Sequence, residues 1–279
     1  MMDMIGRKME IFDLISNFFV VIFAMFNLFP LYWLVTSSFK SSVSIYKMPP
    51  DWWPRMWMLD NYRELFRNQP AFRWMFNSFF VSLITTLLTV AIASLAAYGF
   101  AKLNFRGKNA TFLFMISSLL VPKEIFVTPL FKIMMAFKWI DHYSAMIFPN
   151  LATAFGVFML KGFFEAIPDS IRESGRLDGA GELVIFIKLC MPIVKPGIGA
   201  LFILSFVQVW NDYLWQLLVA NSKNMLTLMV GTATLMQELN PNFAYKMAGA
   251  SVAALPMILI FTMFQKYFTR GIALGAVKG

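Results

Sequence analysis

Six stretches of this chain are long and apolar enough to cross a lipid bilayer. A spanning helix needs about 20 predominantly apolar residues to cover the hydrocarbon core. The runs cover residues 11–36, 75–101, 110–136, 143–164, 197–219 and 246–266. Barrel strands would alternate apolar and polar residues over about ten positions, and these runs do not alternate, so helix is the expected form of each. Hydrophobic residues make up 59% of the chain, charged residues 14%, and the mean hydropathy is +0.65. Soluble domains have about 45–50% apolar and about 25% charged residues. A water-soluble fold of this size could not bury the excess, so the bilayer is the main solvent. The expected fold is an all-α membrane protein with six transmembrane helices in one domain spanning residues 1–279.

The first run follows Arg7 and Lys8 and ends on Tyr32-Trp33, which reads as an interfacial aromatic belt. It is too long for the apolar core of a cleaved signal peptide and reads as the first anchored span. Residues 37–74, with Pro49-Pro50, Pro54, Trp52, Trp53 and Trp57, are expected to form an ordered extracytoplasmic loop with an interfacial side. Residues 102–109 are a short basic turn, 165–196 a long polar connection, and 220–245 a second extramembrane loop. The turn at 102–109 carries Lys102, Arg106 and Lys108 and no acid. Short loops report orientation best, so both termini are expected to be cytoplasmic.

The net charge of +9 forms no basic face or recognition motif, so nucleic acid is not an expected partner. With Cys190 the single cysteine and His142 the single histidine, neither an internal disulfide nor a metal site is expected. There is no clustered catalytic set and no G-x-x-x-x-G-K-[ST] loop to cradle nucleotide phosphates. The chain is therefore not expected to be an enzyme or to bind a cofactor. Phe and Met, numbering 31 and 21, read as packing and lipid contact.

The polar connection carries more information. Pro168 suits a first helical turn and Asp169 the positive end of a helix. A short amphipathic helix is expected to reach about Leu177, with Ile171 and Leu177 as apolar contacts. Gly179 and Gly181 then permit a tight turn. A second helix from Glu182 to Leu189 is expected to end before Pro192, with Pro192 starting the next span.

This segment resembles the EAA loop of binding-protein-dependent ABC importer permeases. The family pattern is Glu-Ala-Ala, three residues, Gly, nine residues, Ile, any residue, Leu-Pro. Here Glu173-Ser174-Gly175 stands at the start, Gly179 follows after three residues, and Leu189-Cys190-Met191-Pro192 follows after nine. The departures are Ser-Gly for Ala-Ala, Leu for Ile and Met for Leu. Ser174 and Gly175 keep the helix face small for close docking, although Gly175 costs the helix about 1 kcal/mol relative to Ala. Other stretches are similar to the carbohydrate branch of the family and its MalG-type subunit. These are Ser37-Ser38-Phe39-Lys40, Asn77-Ser78, Tyr98-Gly99-Phe100-Ala101, Arg176-Leu177-Asp178-Gly179-Ala180, Trp210-Asn211-Asp212, and the tail Phe264-Gln265-Lys266-Tyr267-Phe268 with Gly271 and Gly275 to Gly279.

The resemblance implies a type I importer permease in a prokaryotic cell membrane, paired as a heterodimer with a homologous permease. Two separate ATPase subunits would bind ATP and Mg, and an extracytoplasmic solute-binding protein would deliver a sugar or oligosaccharide. Glycerol-3-phosphate or another polar solute is the alternative cargo within the class. The ATPase-coupling residues it implies are Arg172, Glu173, Ser174, Gly175, Arg176, Asp178, Gly179, Ala180 and Pro192. Gln265, Lys266 and Lys278, in or beside the cytoplasmic tail at 267–279, are candidate further ATPase contacts. A secondary transporter would instead predict paired repeats with broken helices, and no repeat is evident in the sequence.

Two features inside the apolar runs stay open at this level. Asp212 sits at membrane depth, where an ionisable residue is costly and usually faces a cavity or a partner. Gln208, Trp210, Asn211, Asp212 and Glu124 are candidate translocation-path residues, with Trp210 and Trp215 available to stack on sugar rings. Asp212 at the outer interface, or pairing with a neighbouring helix, is the competing expectation. Pro122-Lys123-Glu124 either forms an unwound turn lining a cavity or ends the third span ahead of an interfacial helix.

Overall fold

The computed structural model describes residues 11–151, 153–237 and 242–276, with backbone alone for residues 11, 12, 261 and 263–276. Its elements are helical throughout the described residues. In chain order they are α1 Ile11–Ser38, α2 Asp60–Asn68, α3 Ala71–Lys102, α4 Lys108–Ser117, α5 Val127–Ala136, α6 Tyr143–Ile147, α7 Ala154–Glu165 and α8 Asp169–Leu177. They continue with α9 Glu182–Ile193, α10 Lys195–Trp210, α11 Leu214–Val219, α12 Leu228–Gln237 and α13 Phe243–Ala276. Two compact units emerge, one of residues 1–69 with 235–252 and one of residues 70–234 with 253–279.

Among the described residues, three helices are long and apolar enough to span a membrane unbroken: Asp13–Ser38, Ala71–Lys102 and Phe243–Ile260. The third and fifth runs are not single helices. α4 and α5, with their flanking 3-10 turns, meet at 93°. Val121 is extended and Pro122 follows it, as expected where a proline ring excludes the α conformation from the residue before it. The fifth run ends as a helix at Trp210, and a new helix begins only at Leu214. The fourth run is likewise split into α6 and α7. If each bent pair counts as one span, the total reaches six.

In the first unit, the loop after α1 is ordered by polar contacts. Asn61 donates to the carbonyls of Ser38 (2.8 Å) and Lys40 (3.0 Å), and Ser38 meets the Tyr62 hydroxyl at 2.7 Å. Trp52 packs edge-on to Trp33 and accepts a bond from the Tyr32 hydroxyl at its carbonyl. The 37–74 loop is therefore ordered, but it ends at Pro70, because α3 begins four residues before the expected span.

The second unit is built on α3. At 32 residues and 1.5 Å per residue, α3 is about 48 Å long, well beyond the roughly 30 Å hydrocarbon core. Its buried face carries Asn77, Ser78, Ser82, Thr85, Thr86, Thr89, Ala93, Ser94 and Ala97. Small and hydroxylated residues let helix backbones approach closely in lipid, where no hydrophobic force drives association. α7 and α10 pack on this face. At Gly156 of α7 an added Cβ would lie 3.2 Å from the Ala93 side chain. One end of α3 holds the segment after α11: Trp74 donates to the Lys223 carbonyl (2.7 Å), Asn77 to those of Asn224 and Leu226, and Ser78 accepts from the Leu228 amide (2.8 Å). That segment is not all loop, since α12 occupies residues 228–237. Helical backbone continues from the last span into the tail as far as Ala276.

Candidate functional site

The connection from 165 to 196 folds as a helical hairpin. α8 runs from Asp169 to Leu177 with Pro168 before it, as its sequence predicts. Gly179 then adopts φ +78°, the left-handed conformation that ends helices and that glycine enters at least cost. The Ala180 amide returns to the Gly175 carbonyl at 2.9 Å. Gly181 takes no such role, since its backbone is extended at φ −69°.

α9 departs from the expected 182–189 helix. Residues 185–190 form a π-helical turn and the helix continues to Ile193. Pro192 therefore lies inside the hairpin's second helix and does not start the next span. A proline within a helix lacks an N–H and crowds the carbonyl four residues back, and the wider π turn just before it relieves that crowding. α10 starts at Lys195, with Pro196 in its first turn, and the chain bends by 81° between α9 and α10.

The two faces of α8 differ sharply. On the inner face, Gly175 is buried, and an added Cβ would sit 2.8 Å from the Leu189 side chain and 3.0 Å from that of Ile185. Its small size thus serves packing of α8 on α9, not an outward docking face. Arg172 and Arg176 turn back onto Glu182 at the start of α9. Arg172 reaches one carboxylate oxygen through Nε (3.2 Å) and Nη2 (2.9 Å), and Arg176 reaches the other at 2.9 Å. Tyr98, near the end of α3, donates its hydroxyl to the same Glu182 carboxylate, and the Arg172 guanidinium lies over the Tyr98 ring. One helical turn further on, Lys102 donates to the Ile167 carbonyl (2.5 Å) and pairs with Asp169 (2.9 Å). Beneath lies an apolar cluster including Tyr98, Phe164, Ile167, Ile185, Phe186 and Cys190.

Partial burial pushes the Glu182 carboxyl up. The hydrogen bonds from Tyr98, Arg176 and Arg172, with the Arg172 charge, outweigh it and hold the group at about 2. The Asp169 carboxyl is lowered by the Lys102 ammonium that donates to it. The outer face of α8 presents Glu173, Ser174, Leu177 and Asp178 to the surroundings. Leu177, expected as an apolar contact, makes that contact with nothing among the described residues of this chain and is 89% exposed.

A second feature is a cavity of ≈ 730 Å³ in the second unit. Lys123, Glu124, Asn150, Gln208, Asn211 and Asp212 are among its lining residues. The breaks in the third and fifth runs meet here, and Lys123 and Glu124 of the turn that follows Pro122 line the cavity. Asp212 accepts from Asn150 Nδ2 and from the Trp215 amide, each at 3.4 Å. It therefore ties two elements together as well as lining the cavity. Trp215 lines the cavity too, with its indole N–H donated to the Ala145 carbonyl (2.8 Å). Trp210 does not. It is buried at 2% exposure and stacked on Phe206, because the end of α10 turns its side chain into the packing.

Sequence reasoning placed Glu173, Gly175 and Gly179 correctly on the hairpin but missed Tyr98, Lys102, Asp169 and Glu182 as a connected set. The signal was available in part, since Tyr98 and Lys102 stand one helical turn apart on α3 and Glu182 opens α9. Of the candidate tail contacts, Gln265 and Lys266 lie on the α13 backbone with side chains outside the described residues, and Lys278 lies outside them altogether.

The family model for binding-protein-dependent transport system inner membrane components matches residues 4–274. The chain is 34% identical over 275 residues to the arabinooligosaccharides transport system permease protein AraQ of Bacillus subtilis, with 98% of each chain covered. It is 31% identical to the sulfoquinovosyl glycerol transport system permease protein SmoH of Agrobacterium fabrum, over 91% of this chain and 90% of that one. Among solved structures it is similar in fold to a chain of a bacterial ABC transporter that imports the acidic polysaccharide alginate. The TM-score is 0.82 at 21% identity, over 92% of this chain and 96% of the other.

Proposed function

The chain belongs to the family of binding-protein-dependent transport system inner membrane components, as a multi-pass permease of the sugar and oligosaccharide ABC importers, and from that premise we propose that it carries a sugar or oligosaccharide inward while docking a separate ATPase through the α8–α9 hairpin. The observation that carries this reading is the two-sided α8. Its inner face is fixed to the permease through Glu182 and Gly175, while Glu173, Ser174 and Asp178 stay exposed. A polar helix held rigidly and displayed on one side suits a cleft in a partner. The hairpin and both termini face the cytoplasm in this reading. A homologous permease completes the path as a heterodimer, two ATPase subunits bind ATP and Mg, and a solute-binding protein delivers the cargo outside. Gln265, Lys266 and Lys278 are further ATPase contacts.

The cavity at the two helix breaks is this chain's share of the path. Amide and carboxamide groups from Asn150, Gln208 and Asn211 offer both donors and acceptors to a polyol. Two carboxylates, Glu124 and Asp212, against one lysine, Lys123, suit a neutral sugar better than a phosphate anion, which favours sugar over glycerol-3-phosphate. Glu173→Lys is expected to leave the chain in the membrane and abolish uptake, as measured by energised uptake beside membrane quantitation. Normal uptake would count strongly against docking. Substitutions of Asn211 by Ala, Gln and Leu are expected to change uptake rate or sugar preference, and a series that alters neither would sink the path assignment.

A further inference from the structure

The hairpin is joined to the permease body by a built polar junction. Tyr98 is 4% exposed, with its ring packed edge-on to Phe164 and tilted against Phe186 at centroid distances of 5.6 and 5.0 Å. Its hydroxyl leaves this apolar cluster and ends on the Glu182 carboxylate. Glu182, which opens α9, gathers three donors from two other elements: Tyr98 of α3 and Arg172 and Arg176 of α8. Charge-assisted bonds of this kind are about twice as strong as neutral ones and fix geometry as well as contact. Lys102 forms a second attachment one turn along α3, gripping the Ile167 carbonyl just ahead of α8 and the carboxylate of Asp169, its first residue. α3 is thus held at two successive turns, once at each helix of the hairpin. The far end of α3 holds the 223–228 segment through Trp74, Asn77 and Ser78.

We propose that Tyr98, through Glu182, is the positioning residue that makes the hairpin and α3 move as one body, so that displacement of the hairpin by a partner passes into the second span instead of being absorbed at the Gly179 turn. The inference rests on the docking reading of the hairpin. Without the junction, the hairpin would keep its apolar contacts but gain a rotational freedom about them. Hydrophobic contact is non-directional, whereas the Glu182 bonds are directional.

The test uses the full chain purified with its ATPase. Cys190 is replaced by Ser, and spin labels are placed at Ser170, on exposed α8, and at Leu95, on the exposed side of α3. Inter-label distances are measured without nucleotide and with ATP plus vanadate. The wild-type background is expected to keep one narrow distance in both states. Tyr98→Phe, which keeps the ring and removes one oxygen, is expected to add a broadened or shifted population with vanadate, and Glu182→Gln a larger one. Co-purification of the ATPase and thermal stability in the Tyr98→Phe complex should stay within the wild-type range, which a merely structural role would not predict. Unchanged distances in both variants would overturn the proposal. So would a wild-type distance that differs between the two states, or loss of the ATPase on Tyr98→Phe, since that hydroxyl faces inward. Retention of the ATPase by Glu173→Lys would sink the docking reading while leaving the distances measurable.

Discussion

Three glycines stand in the hairpin, and each answers a different demand. Gly175 provides room, because Leu189 and Ile185 would crowd any Cβ. Gly179 provides a left-handed backbone at φ +78° with open space around it. Gly181 has neither constraint. L-residues enter the left-handed region at a cost of about 1–2 kcal/mol, and β-branched ones do so least readily. Gly179→Val is therefore expected to lower the thermal midpoint of the detergent-solubilised chain by several degrees. Gly181→Ala, with an ordinary φ and no nearby atoms, should leave it unchanged. Equal shifts for the two would contradict the assignment of the turn to Gly179. Spacing in the sequence located all three glycines but did not sort them. Gly175 read as a small outward face because the sequence does not show which side of α8 meets α9.

At the scale of elements, the junction of α3, α8 and α9 turns on one carboxylate. Glu182 is held at about 2, below its ordinary value, so its charged form is what the folded state stabilises. The stabilisation is fully present above the ordinary carboxylate range and is lost as pH falls toward about 2. Glu182→Gln is expected to be less stable than wild type at neutral pH, with the gap closing on acidification from about 4.5 downward. Thermal unfolding in detergent across that range checks it, and a gap that stayed constant or widened on acidification would be the wrong sign. The junction was legible only in part, from Tyr98 and Lys102 one helical turn apart on α3, because Tyr98, Arg172 and Glu182 are brought together by tertiary packing across 84 residues. The helices themselves were more legible. α8 was predictable to within about a residue at each end, because Pro168, Asp169 and Gly179 are local signals. The breaks at 121–122 and 211–213 were harder to place. Hydropathy averages over such interruptions, and only Pro122 announced one of them.

For the whole molecule, the same division holds. Apolar run lengths established the membrane class, and the EAA spacing pointed to the family that the 4–274 match and the AraQ-like relative bear out. Bilayer physics explains why composition sufficed: large apolar side chains left exposed on the chain's surface, such as Phe18, Phe19 and Phe23 of α1, suit a hydrocarbon solvent and not water. The cargo is less legible, since the cavity is lined by a few polar side chains from several elements and a second permease is expected to share the path. The central claim is that the α8–α9 hairpin is where a separate ATPase docks. Site-directed cross-linking tests it most directly, with Ser174→Cys on the exposed α8 face and Asp60→Cys on α2 as the control, each in a Cys190→Ser background. The account predicts a covalent adduct between the Ser174→Cys chain and the ATPase subunit, with none from Asp60→Cys. An ATPase that co-purifies but forms no adduct at position 174, or forms one at position 60, would contradict it.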